Sequence, residues 1–257
     1  MNMLKHIDWK VRIGILLVIL SAILYFLNFT LFHDAEKVWF YLSIDMAFVP
    51  LEVLLVVLVI ESVISRREKS IMLEKLNMVI GTFFSEVGTE LLTEISKFDS
   101  KSRKTNKTLI INENWVDEDF INVKKDITNS NYFLDIDGTN NDSLQFLIET
   151  KEFLKGKHKF LLALLENPNL LEHETFTDLL RAVFHLTEEL EKRKDISNLS
   201  NADYQHLKLD TERAYNIMIY EWVEYMEYLM KNYPYLFSLA MRTNPFDQEA
   251  RVELKDP

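Results

Sequence analysis

The chain has no cysteine. Disulfides, thiolate metal ligands and a cysteine nucleophile are therefore excluded, and the absence fits a reducing compartment. Glycine and proline are scarce, five of each in 257 residues, so there are few places where a helix must break. No glycine-rich phosphate loop, nucleophile elbow or His-Glu-x-x-His pair occurs. Basic charge is in deficit, with 29 Lys and Arg against 40 Asp and Glu and a net charge of −11. Such a chain is a poor match for nonspecific nucleic-acid binding. Strand-type alternation of useful length is missing, as is any repeat of fixed period. What remains is an all-α protein.

The mean hydropathy of −0.06 hides two different solvents. Residues 13–32 (IGILLVILSAILYFLNFTLF) contain no charge over 20 positions, enough to cross a bilayer core of ~30 Å. Residues 38–65 form a second apolar run of 28, which as a helix would be ~42 Å long and so should tilt or emerge into water. Only HDAEK (33–37) separates the two runs. This predicts a membrane helical hairpin over 1–65, with first span 13–32 and second span 38–65. A basic stretch precedes the first run, but the apolar length is too great for a signal peptide and no small-residue cleavage site follows.

Lys5, Lys10 and Arg12 precede the first run, and Arg66, Arg67 and Lys69 follow the second. The turn carries only Lys37, beside Asp34 and Glu36. The basic bias predicts a multi-pass protein of the cell membrane with both termini cytoplasmic. Trp9 and Trp39 fall near opposite interfaces, as anchoring aromatics do.

Residues 66–246 should form a helical cytoplasmic domain, an antiparallel bundle, with 247–257 a disordered tail. From residue 66 onward there are 25 basic and 34 acidic residues, so this part is acidic too. The second run continues without a strong breaker into an amphipathic stretch, 66–98. Its apolar face is Met72, Leu76, Val79, Phe83, Val87, Leu91 and Ile95. Residues 99–108 (DSKSRKTNKT) lack apolar anchors and read as a loop. A weaker helix follows around 114–127. Three stronger ones cover 143–166, 173–194 and a third that Asn201 or Asp203 caps and that runs to Asn232. Pro234 opens a short apolar helix that Asn244-Pro245 stops. The segment LDIDGTNND is oxygen-rich but lacks the spacing and closing Glu of a calcium loop, so it reads as a solvated turn.

Glu52 lies near the middle of the second run, and Asp45 seven residues earlier shares its side. Charges at that depth are costly and call for a partner or a task. Pro50 lies between them and leaves the carbonyl of Met46 without its helical donor. On the first run Ser21, Tyr25 and Asn28 share a face. Folding the hairpin about residue 35 sets Tyr25 level with Asp45 and Ser21 within a turn of Glu52. In one reading the hydroxyls satisfy the acids and hold the hairpin together. In the other, several copies form a ring in which Asp45 and Glu52 attract cations. Glu61 lies on the opposite face, near Arg66 and Arg67 at the cytoplasmic boundary.

In the helical domain His185 has Glu188 and Glu189 within helical reach, and His173 is flanked by Glu172 and Glu174. These are the metal-ligand candidates, but neither His has the Glu three residues before it that a ferritin-like site requires. No metal site and no cofactor is expected on this pattern. The aromatics of the last long helix do not share one face, so they read as core with amphipathic edges.

The stretches IDMAFVPLEVLL (44–55), LEKLNMVIGTFFSEVG (73–88) and NYPYLFSLAMRTNPFD (232–247) resemble a family of prokaryotic two-span membrane proteins with a helical cytoplasmic domain. The resemblance covers most of the chain and brings no catalytic residue with it. The layout is also similar to the pore subunit of the mitochondrial calcium uniporter, with two spans, a short turn and acids on the second. Its Trp-Asp motif and Asp-to-Glu spacing are absent here. The expectation is a homo-oligomeric membrane protein with a cation pathway at Asp45 and Glu52, supported by Ser21, Tyr25, Asn28 and Pro50. The alternative is a membrane-anchored scaffold or sensor whose helical domain binds a cytoplasmic protein, and an enzyme is the third reading.

Overall fold

A computed structural model describes residues 9–32 and 35–253, and the side chains of these except 9–14, 32, 35, 70, 102–104, 106 and 171. Lys5, the turn residue Asp34 and the last four residues of the expected tail lie outside the described residues. The protein is all-α, about 81% helical, and the described residues contain no strand, only one isolated bridge between Asp99 and Leu134. The chain divides into two compact units, Met1–Lys69 and Ser70–Pro257.

The first unit holds α1 (Trp9–Phe32) and the start of α2 (Ala35–Phe83). Its apolar side chains face outward, with Leu16 63%, Phe26 67%, Leu51 57% and Leu58 57% exposed. Among the described residues one helical stretch, Glu36–Ser96, contains a segment long and apolar enough to cross a membrane, and Ile15–Leu31 is a shorter apolar helix. Small polar residues here bond to their own helix. Thr30 Oγ1 donates to the Leu27 carbonyl (2.9 Å), Ser43 Oγ to Phe40 (2.7 Å) and Ser62 Oγ to Val59 (2.8 Å). They therefore need no outside partner. Pro50 sits inside α2 without ending it.

The second unit has its own core. The end of α2 passes through a π-helical turn (Phe84–Gly88) into α3 (Thr89–Ser96). The reason lies in the spacing. Phe83, Val87, Leu91 and Ile95 follow one another at intervals of four, and all are buried. In an α-helix each such step overshoots one turn by ~40°. The wider π turn absorbs part of that drift and keeps the four on one face. Gly88 is required there, because a Cβ would lie 2.6 Å from Phe84 Cδ1 and 2.8 Å from Phe83 Cε1. Phe83 packs edge-on against Phe176, and Phe84 stacks on Tyr225.

Around this helix pack α5 (Asp117–Thr128), α6 (Asn141–Leu165), α7 (Glu174–Lys192), α8 (Asn201–Asn232) and α9 (Pro234–Arg242). Capping explains their starts. Asn140 accepts from Asp142 N–H, and His173 Nδ1 from Phe176 N–H. Ser200 Oγ, rather than Asn201 or Asp203, caps α8 by accepting from Asp203 N–H, and returns a bond to the Asp203 carboxylate. Lys124 ties α5 to α8 by reaching Glu224 (2.5 Å) and Glu227 (2.6 Å). The extended stretch 132–134 lies along α8, where Asn216 Oδ1 accepts from Tyr132 N–H and Glu212 Oε1 from Leu134 N–H.

A second expectation is also corrected. Residues 102–109, read as mostly loop, form a short helix, α4 (Ser102–Leu109). Thr105 and Leu109, four apart, are both buried, and the Leu109 carbonyl accepts from Asn244 Nδ2. One leucine and one threonine anchor the segment, too little apolar periodicity to detect. The oxygen-rich turn is closed on itself: Asp137 Oδ1 accepts from Thr139 N–H, Thr139 Oγ1 and Asn140 N–H. The Thr139 hydroxyl, first among these, holds the Asp137 carboxyl below its ordinary value. After buried Phe246, which packs on Trp222, and half-buried Asp247, residues 248–253 are exposed and form turns and bends.

Candidate functional site

Among the described residues, two places gather chemistry-bearing side chains, one in each unit. In the first, Tyr25 OH donates to Asp45 Oδ2 at 2.9 Å. The hairpin thus brings together the two residues that folding about residue 35 sets level. Glu52 meets no hydrogen-bond or ion-pair partner among the described residues, and Ser21 and Asn28 do not reach it. One acid is satisfied within the chain, and the other is not.

The second place lies between α7 and α8. Arg193–Asp203, Glu189–His206 and His185–Asp210 pair in order, so the two helices run antiparallel. His185 and Glu189 are four apart on α7, and His206 and Asp210 four apart on α8, so each pair shares a helix face. His185 Nε2 lies 3.3 Å from Asp210 Oδ2, and His206 Nε2 is also 3.3 Å from that oxygen. His206 Nε2 is 3.5 Å from Glu189 Oε2. Ligand atoms of His185, Glu189 and His206 all lie within 4.8 Å of one another.

Asp210 is only 3% exposed, yet its Oδ2 makes no hydrogen bond. Both imidazole nitrogens are near enough, but neither contact has hydrogen-bond geometry. Its other oxygen, Oδ1, accepts from Arg213 Nη1 at 3.1 Å, which fixes the carboxylate's orientation. Arg193 Nη1 binds Glu189 Oε2 at 2.5 Å, while Nη2 reaches Asp203. The Arg193 hydrogen bond is the main reason the Glu189 carboxyl is held below its ordinary value, with the charges of Arg193, His206 and His185 adding to it. The histidine rings are half open to solvent, His185 at 43% and His206 at 49%.

The expected metal candidates divide. His185 and Glu189 belong to this cluster. His173 does not, because it caps α7, twelve residues and therefore ~18 Å along the helix from His185. His206 and Asp210 do not fit a Glu three before a His. The sequence signal they carry is a His with an acid four residues later, repeated on consecutive helices. Folding α7 and α8 about Ser197–Asn198 sets His185 level with Asp210 and Glu189 level with His206.

A further buried carboxylate, Glu221 on α8, is 1% exposed, and neither oxygen meets a partner in good hydrogen-bond geometry. Burial pushes it up to about 7; the Thr175 hydroxyl opposes the rise and the Glu224 charge adds to it.

Comparison with known proteins matches residues 72–242 to a family described as "Uncharacterized protein MJ1433, C-terminal helical domain". Residues 4–64 match "MJ1433, N-terminal helical domain". The chain belongs to the MJ1433 family. It is 43% identical over 244 residues to "Uncharacterized protein MJ1433" of Methanocaldococcus jannaschii, a match that covers 95% of this chain and 96% of the relative. No solved structure matches. The two family regions meet between residues 64 and 72, and the two compact units divide at Lys69–Ser70.

Proposed function

We propose that this MJ1433-family protein is a two-span protein of the cell membrane that carries a cytoplasmic helical scaffold or sensor domain. The spans are 13–32 and 38–65, and both termini face the cytoplasm. The observation that carries the reading is the contrast in burial. The first unit turns its apolar side chains outward along both helices, while the second encloses a complete core. A surface of that length and composition suits acyl chains. The basic residues at both ends of the hairpin supply its orientation.

The Tyr25–Asp45 bond favours an anchoring hairpin over a pore. It satisfies Asp45 within one chain and leaves one carboxylate per copy for any shared pathway. The second reading, a homo-oligomeric cation pathway, draws on Glu52, which has no partner among the described residues and would meet its counterparts only across a copy-to-copy contact.

Two measurements separate these. The full chain should stay with membranes through alkaline extraction, and release into the soluble fraction would contradict the membrane assignment. In liposomes the anchor reading expects no cation flux above that of empty vesicles. Flux that Glu52→Gln abolishes would establish the pathway instead.

A further inference from the structure

The hydrogen-bond pattern around Asp210 is hard to explain as ordinary ion pairing. In an ion pair each imidazole N–H would point at the oxygen. Here two nitrogens approach one buried oxygen without hydrogen-bond geometry, and that oxygen has no other partner. Such an arrangement suits ligands placed around a common ion better than donors facing an acceptor.

The distances agree with that. With metal–nitrogen and metal–oxygen bonds of ~2.0–2.1 Å, the edges of a tetrahedral zinc site are ~3.3–3.4 Å. Three nitrogen–oxygen edges, at 3.3, 3.3 and 3.5 Å, match that size, and the group lying mutually within 4.8 Å is His185, Glu189 and His206, with Asp210 against its two histidines. The outer contact of Asp210 is also of the right kind, since Arg213 holds its far oxygen, as partners beyond a ligand commonly do. Arg193 instead binds the same Glu189 oxygen that faces His206, so Glu189 is the outermost of the four.

We infer that α7 and α8 form a binding site for a divalent transition-metal ion of the zinc type, with His185 Nε2, His206 Nε2 and Asp210 Oδ2 as ligands and Glu189 completing the set. Imidazole with carboxylate selects this class over calcium or magnesium, which favour oxygen alone, and the set contains no thiolate to favour copper(I). The half-open histidine rings leave the ion in exchange with solvent, which fits a sensing site better than a sealed structural one. The inference concerns the helical domain alone and holds independently of the membrane assignment.

The test uses the full-length protein, purified without a histidine tag, stripped with a chelator and titrated with Co2+ and then Zn2+. One Co2+ per chain is expected, with the strong visible bands of a four-coordinate ion, displaced by one Zn2+. His185→Ala and His206→Ala should each weaken binding at least ~100-fold, more than the loss seen on removing an outer partner. Both rings are half exposed, so these changes leave the core intact, and unchanged helical circular dichroism checks this. His158→Ala, whose ring pairs with Glu191 at 2.9 Å instead, should bind as the unaltered protein does. Absence of stoichiometric binding would overturn the inference. So would binding in His185→Ala or His206→Ala as tight as in the unaltered protein, or a loss in His158→Ala as large as theirs.

Discussion

Glu52 and Asp210 are both carboxylates without a hydrogen bond on at least one side, yet they sit in opposite surroundings. Glu52 is exposed on a helix whose neighbours are leucine and valine, while Asp210 is buried among histidine and arginine. In the hairpin the apolar groups face out and the acids are the exception. In the helical domain the apolar groups face in, and the acids collect where two helices leave polar side chains level. The same residue type therefore sits in opposite packing in the two units. On the membrane proposal a lone acid in the hairpin serves lipid-embedded contact, and on the metal-site inference a clustered acid in the domain serves as a ligand.

Matched substitutions break that comparison most sharply. Leu186→Asp places a charge at a fully buried position of the domain core and should cost ~4 kcal/mol or more, enough to abolish the cooperative melt. Leu55→Asp makes the same chemical change at a 61% exposed position of the hairpin. It should leave the domain's melt unchanged and weaken membrane retention, at ~3 kcal/mol for an acid at a span's centre. Equal loss of domain stability in both variants would show that the hairpin is packed as part of a soluble core.

Next in size is Glu221. Its folded value of about 7 lies above the ordinary 4.5, so the folded state holds its proton more tightly than the unfolded chain does. Stability from this group is fully present below about pH 4.5 and falls as pH rises towards 7, a loss of ~3 kcal/mol at ~1.4 kcal/mol per unit. Glu221→Gln should remove this slope and raise the unfolding midpoint at pH 8. Denaturant melts at pH 5 and pH 8 check it, and an unchanged slope would place the pH dependence elsewhere.

Gly88→Ala comes third. The added methyl must displace Phe83 and Phe84 rings in the π turn, at ~1–3 kcal/mol by the usual cost of overpacking. A shift of the domain's thermal midpoint measures it. Tyr25→Phe is the smallest, ~0.6–1.7 kcal/mol for an interhelical hydrogen bond within a membrane. It should loosen the hairpin, seen as faster proteolysis in detergent, without moving the domain's melt.

Much of the helical frame was legible because breakers and caps are few and clear. Asn167-Pro168, Pro234 and Asn244-Pro245 stand at real helix ends. The Tyr25–Asp45 contact was legible because a short turn fixes the register of two antiparallel helices. α4 was hidden because Thr105 and Leu109 give no apolar period. The π turn was hidden because a spacing of four reads as α-helix until the drift is followed over several turns. The full His185, Glu189, His206 and Asp210 set was hidden for another reason. Its members are ordinary i,i+4 pairs on each helix, and only the α7–α8 register makes them one cluster. Residues on a single helix are set by periodicity, and residues on two helices by the turn between them.

The central claim is that the two units face different solvents, and the absence of cysteine permits a direct test. Single cysteines are placed at Glu36 in the first turn of α2 and at Glu249 after the domain, and intact cells are treated with a membrane-impermeant maleimide. The account predicts labelling of Glu36→Cys from outside and of Glu249→Cys only after the membrane is opened. Labelling of both positions from outside, or of neither until the membrane is opened, would contradict it.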